Sequence, residues 1–346
     1  MNLQDYCVDS GITLREAMRV MDKGARKILF VLEGEQLAGS VSDGDIRRYL
    51  LNGCSIDDNV TGCMNRACVT ANSVLQAREI LKVHRLTAIP VIEKDGVIRS
   101  IEFDDRSIGR VPEALNLPVV IMAGGKGTRL EPFTKVLPKP LIPVGEKPIM
   151  EYIFDTFTRY QCNDFYMIVN YKKELIKAYF SELNNDYVVH YYEEEKPLGT
   201  GGGLSLLKGS IDKTFILTNC DILIDADFAD LLRFHRLHGN AVTMICAYKN
   251  MTVPYGVVEM GEDGLVKEMK EKPELSFLTN TGVYLVEPEV LEDIEDDVPI
   301  GFPDIMKRQM EKGRKVAVYP ISEGSWMDMG QLPELDRMRE KLNGMH

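Results

Sequence analysis

The chain has 346 residues, 45% of them hydrophobic and 27% charged, and carries a net charge of −12. That length suits about two domains at ~150 residues each, and the composition is that of a chain that buries a core, not of a disordered one. The charge is uneven, with 15 Lys+Arg against 16 Asp+Glu in residues 1–110 and 26 against 37 in the remainder; an acidic body argues against tracking along nucleic-acid phosphates, though not against binding one nucleotide.

The segment Met1–Tyr6 has no basic stretch with an apolar run behind it, so no secretory leader is expected. No apolar segment approaches the ~20 residues that span a bilayer. Seven cysteines (Cys7, Cys54, Cys63, Cys68, Cys162, Cys220, Cys246) form no Cys-x-x-Cys pair and read as reduced thiols, hence a cytoplasmic protein. His235 and His238 could face one side of a helix, but no third ligand stands near them, and a solvated helix face is the expectation.

Residues 1–110 contain a weak repeat. The first copy runs through Ile12–Met21, Lys27–Leu32, a turn at Glu33-Gly34-Glu35, and Leu37–Arg48. The second runs through Val69–Ala77, Ala88–Ile92, a turn at Lys94-Asp95-Gly96, and Val97–Asp105. Apolar spacing and turn residues predict helix, strand, tight turn, strand, helix in each copy. The pattern resembles a tandem CBS pair, an α+β regulatory module. That resemblance implies an adenosine nucleotide such as AMP or ATP in the cleft, with Ser42 at phosphate and Asp45 at ribose. The second copy has Asp105 but places Glu102 where a hydroxyl is wanted, and a carboxylate there repels phosphate. A sensing or oligomerising role is therefore expected of 1–110, with a homo-oligomer as partner state.

Residues 111–117 read as a linker, since Pro112 and Pro118 bracket it and Pro118 favours an extended start at Val119. From 118 to 346 strand and helix signals alternate. Helices are predicted at Glu151–Phe157 and Lys173–Leu183, and strands at Asp164–Asn170 and Tyr187–Tyr192. Another helix is predicted after the glycine run at Leu198–Leu204, and then a strand from Thr214 that ends in Asp221. This alternation predicts an α/β, Rossmann-like, mostly parallel sheet with ligand sites at the carboxyl ends of its strands.

The chemistry-bearing stretch is Val119–Thr134. An apolar run breaks into Ala123-Gly124-Gly125-Lys126-Gly127-Thr128-Arg129-Leu130, followed closely by Pro138-Lys139-Pro140-Leu141. A buried strand leading into glycines brings backbone N–H groups to phosphate oxygens. Walker A spacing is absent, and the dinucleotide fingerprint fails at Leu130. Arg129 and Lys139 add a fork and a point charge for phosphate.

Together with Leu198-Gly199-Thr200-Gly201, Asp221, Tyr255-Gly256-Val257-Val258, Glu271-Lys272-Pro273, Asn280-Thr281-Gly282 and Trp326-Met327-Asp328-Met329-Gly330, these motifs resemble the sugar-1-phosphate nucleotidylyltransferases over residues 118–335. The mannose-1-phosphate guanylyltransferase-like members are the most similar. The resemblance implies that a sugar-1-phosphate attacks the α-phosphorus of a nucleoside triphosphate, giving a nucleotide-sugar and pyrophosphate. It implies nucleotide contacts at Ala123, Gly124, Gly125, Gly127, Thr128, Gly199 and Thr200, and sugar-phosphate contacts at Gly256, Glu271, Lys272, Asn280 and Thr281. Arg129, Lys139 and Lys272 become the catalytic cations. Asp221 and Asp328 become the ligands of Mg2+, which takes one or two carboxylates beside phosphates and waters. GTP is favoured as donor, with hexose or amino-sugar phosphates as acceptor. A subunit that binds nucleotide-sugar without turnover is the alternative, and the presence of all five charged residues weighs against it.

Overall fold

The computed structural model describes residues 3–24, 26–84, 86–104, 112–183 and 186–343. The first repeat is β1 (Cys7–Asp9), α1 (Leu14–Lys23), β2 (Ile28–Glu33), β3 (Gln36–Ser42) and α2 (Asp43–Leu51). The second is α3 (Val74–Val83), β4 (Ala88–Ile92) and β5 (Ile98–Phe103), and the closing helix expected around Asp105 lies outside the described residues. β1 pairs parallel to β2 and β2 antiparallel to β3. In the second copy a parallel Ala71–Val91 bridge takes the place of β1 beside the antiparallel β4–β5 hairpin. α1 starts where it does because Thr13 and Glu16 close a reciprocal capping box, and it buries Leu14, Ala17, Met18 and Met21.

The following chain holds β6 (Val119–Ala123), α4 (Phe133–Val136), the small hairpin β7 (Pro143–Val144) and β8 (Lys147–Pro148), α5 (Ile149–Thr158), β9 (Asp164–Val169), α6 (Lys173–Ser181) and β10 (Val188–Glu193). Next come β11 (Phe215–Asn219), β12 (Ile222–Ile224), α7 (Phe228–His238), β13 (Val242–Thr252), β14 (Val257–Met260), β15 (Val266–Lys270) and β16 (Glu274–Val286). α8 (Glu289–Glu292), α9 (Phe302–Glu311), β17 (Val316–Ile321), β18 (Trp326–Asp328) and α10 (Leu332–Asn343) complete it.

Seven strands form the central sheet in the order β10-β9-β6-β11-β16-β13-β17. β10, β9, β6 and β11 are mutually parallel, and β16 adds antiparallel to β11. β6, buried almost throughout, reads as a continuous apolar run because helices cover both faces of a parallel sheet. Val120, Leu217 and Val286 from the sheet pack with Leu204, Leu291, Phe302 and Ile305 in one apolar cluster.

Two local expectations shift. The strand predicted to end in Asp221 stops at Asn219, so the carboxylate sits past the strand end. The helix predicted after Leu198–Leu204 is a 3-10 stretch, Gly202–Leu207, since consecutive glycines weaken an α-helix.

The chain divides into two compact units. One comprises Met1–Arg110, Ala247–Leu278 and Pro320–Ser325; the other comprises Val111–Cys246, Thr279–Tyr319 and Trp326–His346. The segment 247–278, which the sequence reading placed within 118–346, thus groups with the first 110 residues. It carries the β14–β15 hairpin, here called the arm, in which Val258 faces Met269, and these two side chains stay 52% and 70% exposed. Among the described residues no helix is long and apolar enough to cross a membrane.

Candidate active site

At the carboxyl end of β6 the chain turns through Gly124–Gly127 into a 3-10 turn, Thr128–Leu130. Leu130 is fully buried and anchors that turn. Gly127 has φ +65°, and a Cβ there would lie 2.9 Å from Thr134 Cγ2, so glycine is required twice over. The Thr134 hydroxyl donates to the Gly127 carbonyl at 3.0 Å and fixes the return of the loop. A Cβ on Gly125 would meet nothing within 4 Å; its backbone is the open part of the loop, available to a ligand. Lys172 Nζ donates to the carbonyls of Lys135 at 2.5 Å and Val136 at 2.8 Å, holding the segment behind the loop.

Lys139 opens a 3-10 turn behind Pro138, and its ammonium donates to the carboxylate of Asp221. Burial works against that ammonium, but Asp221, with Cys220 and Asp328 near it, outweighs burial and holds the Lys139 pKa above the ordinary lysine value. Asp221 and Asp328 come together because β12 pairs antiparallel with β18, setting Ile222 opposite Asp328. The Met329 N–H donates to the Asp221 carbonyl at 2.9 Å, and the Gly330 N–H donates to Asp328 Oδ1 at 2.7 Å. Burial first, and the Asp221 charge second, push the Asp328 carboxyl above its usual range. Two neighbouring carboxylates, only partly compensated by Lys139 and the Gly330 N–H, are hard oxygen donors of the kind that suits a hard cation. Among the described residues no cluster of three or more His, Cys, Asp or Glu converges.

These groups share one cavity of about 520 Å³, lined by Gly124, Gly125, Gly127, Thr128, Arg129, Lys139, Thr200, Asp221, Asn280, Thr281 and Asp328. All of these were singled out in the sequence. Thr281 is fully buried and its hydroxyl donates to the Ile245 carbonyl at 2.8 Å, while Asn280 Nδ2 donates to Tyr284 Oη at 2.7 Å. Of the other predicted residues, Ala123, Gly199, Gly256, Glu271 and Lys272 are not among the lining residues. Ala123 is buried at the end of β6. Gly256, Glu271 and Lys272 belong to the other unit, with Lys272 in a left-handed turn at φ +44°.

The second glycine run packs closely on the chain's own backbone. A Cβ on Gly199 would stand 2.7 Å from the Ile300 carbonyl oxygen, and one on Gly202 would stand 2.4 Å from that of Val298. The close approach these glycines permit is to the chain's own backbone, and Thr200 Oγ1, accepting from Phe302 N–H at 3.2 Å, is the part of the run that reaches the cavity. Sequence reading missed Asn219, Tyr284, Phe302 and Trp326, which also line the cavity. Asn219 was detectable as the polar residue that ends β11; the aromatic three carry no signal that separates wall from core.

The first repeat also has its candidate pair bonded internally. Ser42 caps α2, its hydroxyl donating to Asp45 Oδ2 at 2.6 Å while Asp45 N–H donates back to Ser42 Oγ at 3.3 Å.

Residues 118–343 match the family model described as nucleotidyl transferase, and residues 1–52 match that of the CBS domain. A mannose-1-phosphate guanyltransferase of Schizosaccharomyces pombe is 32% identical over 225 residues, covering 62% of this chain and 61% of the relative. The mannose-1-phosphate guanylyltransferase catalytic subunit beta of Drosophila pseudoobscura pseudoobscura is 33% identical over 221 residues, 61% of this chain and 58% of its own. A UTP–glucose-1-phosphate uridylyltransferase of Synechocystis is 31% identical over 247 residues, 63% of this chain and 61% of its own. The chain thus spans 58% to 61% of the length of these relatives. Among solved structures, a putative glucose-1-phosphate thymidylyltransferase from Bacillus anthracis in complex with a sucrose shares the fold at TM-score 0.52 and 21% identity, covering 65% of this chain and 94% of that one. HddC from Yersinia pseudotuberculosis does so at TM-score 0.51 and 23% identity, covering 65% and 99%. With the family model matched over most of its length, the chain belongs to the nucleotidyl transferase family.

Proposed function

We propose that the protein transfers a nucleotidyl group from a nucleoside triphosphate, GTP by preference, to a sugar-1-phosphate. A phosphate oxygen of the sugar-1-phosphate forms the new bond to the α-phosphorus in line, the bond between the α-phosphorus and its bridging oxygen to the β-phosphorus breaks, and pyrophosphate leaves. The observation that carries this reading is the convergence of Gly124, Gly125, Arg129, Lys139, Asp221 and Asp328 on one cavity. Such a reaction brings anions together, so the site must neutralise and orient charge and needs no protein nucleophile.

The N–H groups of Gly124, Gly125 and Gly127 cradle the triphosphate. Arg129 meets the charge that develops on pyrophosphate, and Lys139 holds the α-phosphate. On the arm, Lys272 positions the sugar phosphate, while Glu271 accepts from sugar hydroxyls and Gly256 lets the sugar approach the backbone. Asp221 and Asp328 hold magnesium, which when bound supplies charge neutralisation at the phosphates. The guanine preference rests on the names of the guanylyltransferase relatives, and the hexose or amino sugar rests on family likeness alone. A companion proposal is adenosine-nucleotide regulation at Ser42 and Asp45. It requires phosphate to displace the bond between those two side chains, and calorimetry of the whole chain with AMP or ATP, wild type against Asp45→Ala, tests it.

The deciding experiment incubates the protein with magnesium, each nucleoside triphosphate in turn and a panel of sugar-1-phosphates, and measures pyrophosphate. Release with GTP and a hexose or amino-sugar phosphate is expected. Silence in every combination leaves only the non-catalytic binding subunit.

A further inference from the structure

α1 places Arg15, Arg19 and Asp22 at i, i+4 and i+7, on one helix face. Its other face is buried in the core of the first repeat. A charged stripe of this kind ordinarily faces water, but here each member is engaged. The Arg15 side chain is only 12% exposed; it donates to Asp57 at 2.6 and 2.9 Å and to Asn250 Oδ1 at 2.9 Å. Arg19 is ion-paired with Glu274. Asp22 Oδ2 accepts from the Gly324 N–H at 3.0 Å, and a Cβ on Gly324 would stand 2.5 Å from Asp22 Cγ, so the Asp22 side chain and the Gly324 backbone touch as closely as glycine allows. Beside them Tyr248 packs on the apolar cluster of the first repeat, and Arg47 Nε donates to the Pro320 carbonyl at 3.1 Å.

Of the residues that meet this stripe, Asp57 lies outside both family matches, while Asn250, Glu274 and Gly324 lie within the transferase match and not the CBS match. Asn250 and Glu274 bracket the arm, on β13 and β16. β16 then runs on to Asn280, Thr281 and Gly282, and Ser325 leads directly to Trp326 and Asp328, all of which line the cavity. Between the brackets the arm has little of its own to hold it: every residue of β14 and β15 is exposed, and a two-stranded hairpin without an apolar cover is marginal in water.

We infer that α1, through Arg15, Arg19 and Asp22, positions the arm for the sugar-1-phosphate, so that the N-terminal module sets the affinity for the acceptor and not for the nucleotide. This rests on the reading above that the arm carries acceptor-binding residues. Arg15, Arg19 and Asp22 act through the arm and are positioning residues.

The test uses the full chain and three variants: Arg19→Glu, Glu274→Arg and the double reversal. Initial rates of pyrophosphate release are measured against each substrate in turn, with unfolding midpoints alongside. Each single reversal should raise KM for the sugar-1-phosphate about three- to tenfold, the scale of losing a partly exposed pair and adding like-charge repulsion, with KM for the triphosphate within about twofold. The double reversal should restore the acceptor KM. An unchanged acceptor KM, an equal rise in both KM values, or a double variant no better than the singles overturns the inference. Hydrogen exchange supplies a readout that does not depend on turnover. Amides of 254–272 should exchange faster in Arg19→Glu while those of 124–130 do not change, and equal protection of 254–272 in wild type and variant overturns the inference. If wild type releases no pyrophosphate with any pair, the proposed reaction fails, and the exchange result still decides whether α1 holds the arm.

Discussion

Glu194 follows β10 and is 6% exposed. Its Oε1 has no hydrogen-bond partner among the described residues. The carboxylate is wedged between the two glycine segments: a Cβ on Gly124 would lie 2.7 Å from Oε2, and one on Gly203 would lie 2.4 Å from Oε1. Burial pushes its pKa up to about 6, against ~4.3 in an unfolded chain. The folded state therefore keeps a proton that the unfolded state has released between those values, and stability falls as pH rises through that window, then stays flat above it. The shift corresponds to ~2 kcal/mol. Glu194→Gln removes the titration at nearly constant volume. The buried amide brings its own unpaired donor, an offset of ~1–3 kcal/mol that does not depend on pH, so the informative quantity is the change in the stability difference with pH. Relative to wild type, the variant should gain ~2 kcal/mol between ~pH 4 and ~pH 8. Urea titrations followed by the fluorescence of Trp326, the single tryptophan and a member of the same compact unit, measure it. A difference between the two proteins that is constant across pH refutes a carboxylate whose pKa burial raises against the backbone hydrogen bond from Leu198.

The same loop supports paired glycine predictions. Gly127→Ala forces a left-handed residue and a contact with Thr134, so it should lose ~1–2 kcal/mol of stability and weaken triphosphate binding together, as read by urea titration and equilibrium dialysis. Gly125→Ala has open space around the new methyl and should leave the urea midpoint unchanged, yet weaken triphosphate binding at least about tenfold by blocking the backbone. Normal nucleotide affinity in Gly125→Ala removes that residue from the cradle. Asp221→Ala takes away both the Lys139 partner and one carboxylate proposed to hold magnesium, and turnover should fall at least about a hundredfold with the circular dichroism spectrum preserved. Near-normal rates with magnesium would sink its metal role.

Much of the site was legible because its residues are local. The strand before Gly124, the broken glycine turn, and the cations at 129 and 139 all fall within about one supersecondary unit. Sequence order could not reveal how Asp221 meets Asp328, since that depends on the pairing of β12 with β18, a long-range choice with no local signature. The second glycine run was legible only as a place of close approach. Glycine reports close approach but not of what, and here Ile300 and Val298 are the neighbours. The division of the chain was hidden more deeply. Composition changes near residue 110, but 247–278 groups with the first 110 residues, and its contacts there include polar side chains on α1 that a periodicity reading assigns to solvent.

The Lys139–Asp221 pair also bears on how the cavity would receive the polyanions of the proposed reaction without first changing its protonation. A buried lysine beside no carboxylate tends to lose its proton, and a triphosphate would then meet a neutral amine. Asp221 prevents this by holding the Lys139 ammonium charged. An ammonium has three donors, so the bond to Asp221 leaves two for an incoming phosphate. Conversely, Lys139 tempers the carboxylate charge that would otherwise repel the ligand, and it draws the neighbouring Asp328 downward against burial. The unfavourable desolvation of these charges is borne by the fold, where β12 and β18 fix the carboxylates and Pro138 fixes the lysine turn. In the proposed reaction little reorganisation would then be left for the moment at which phosphate charge shifts toward the leaving group, the condition under which electrostatic stabilisation is most effective.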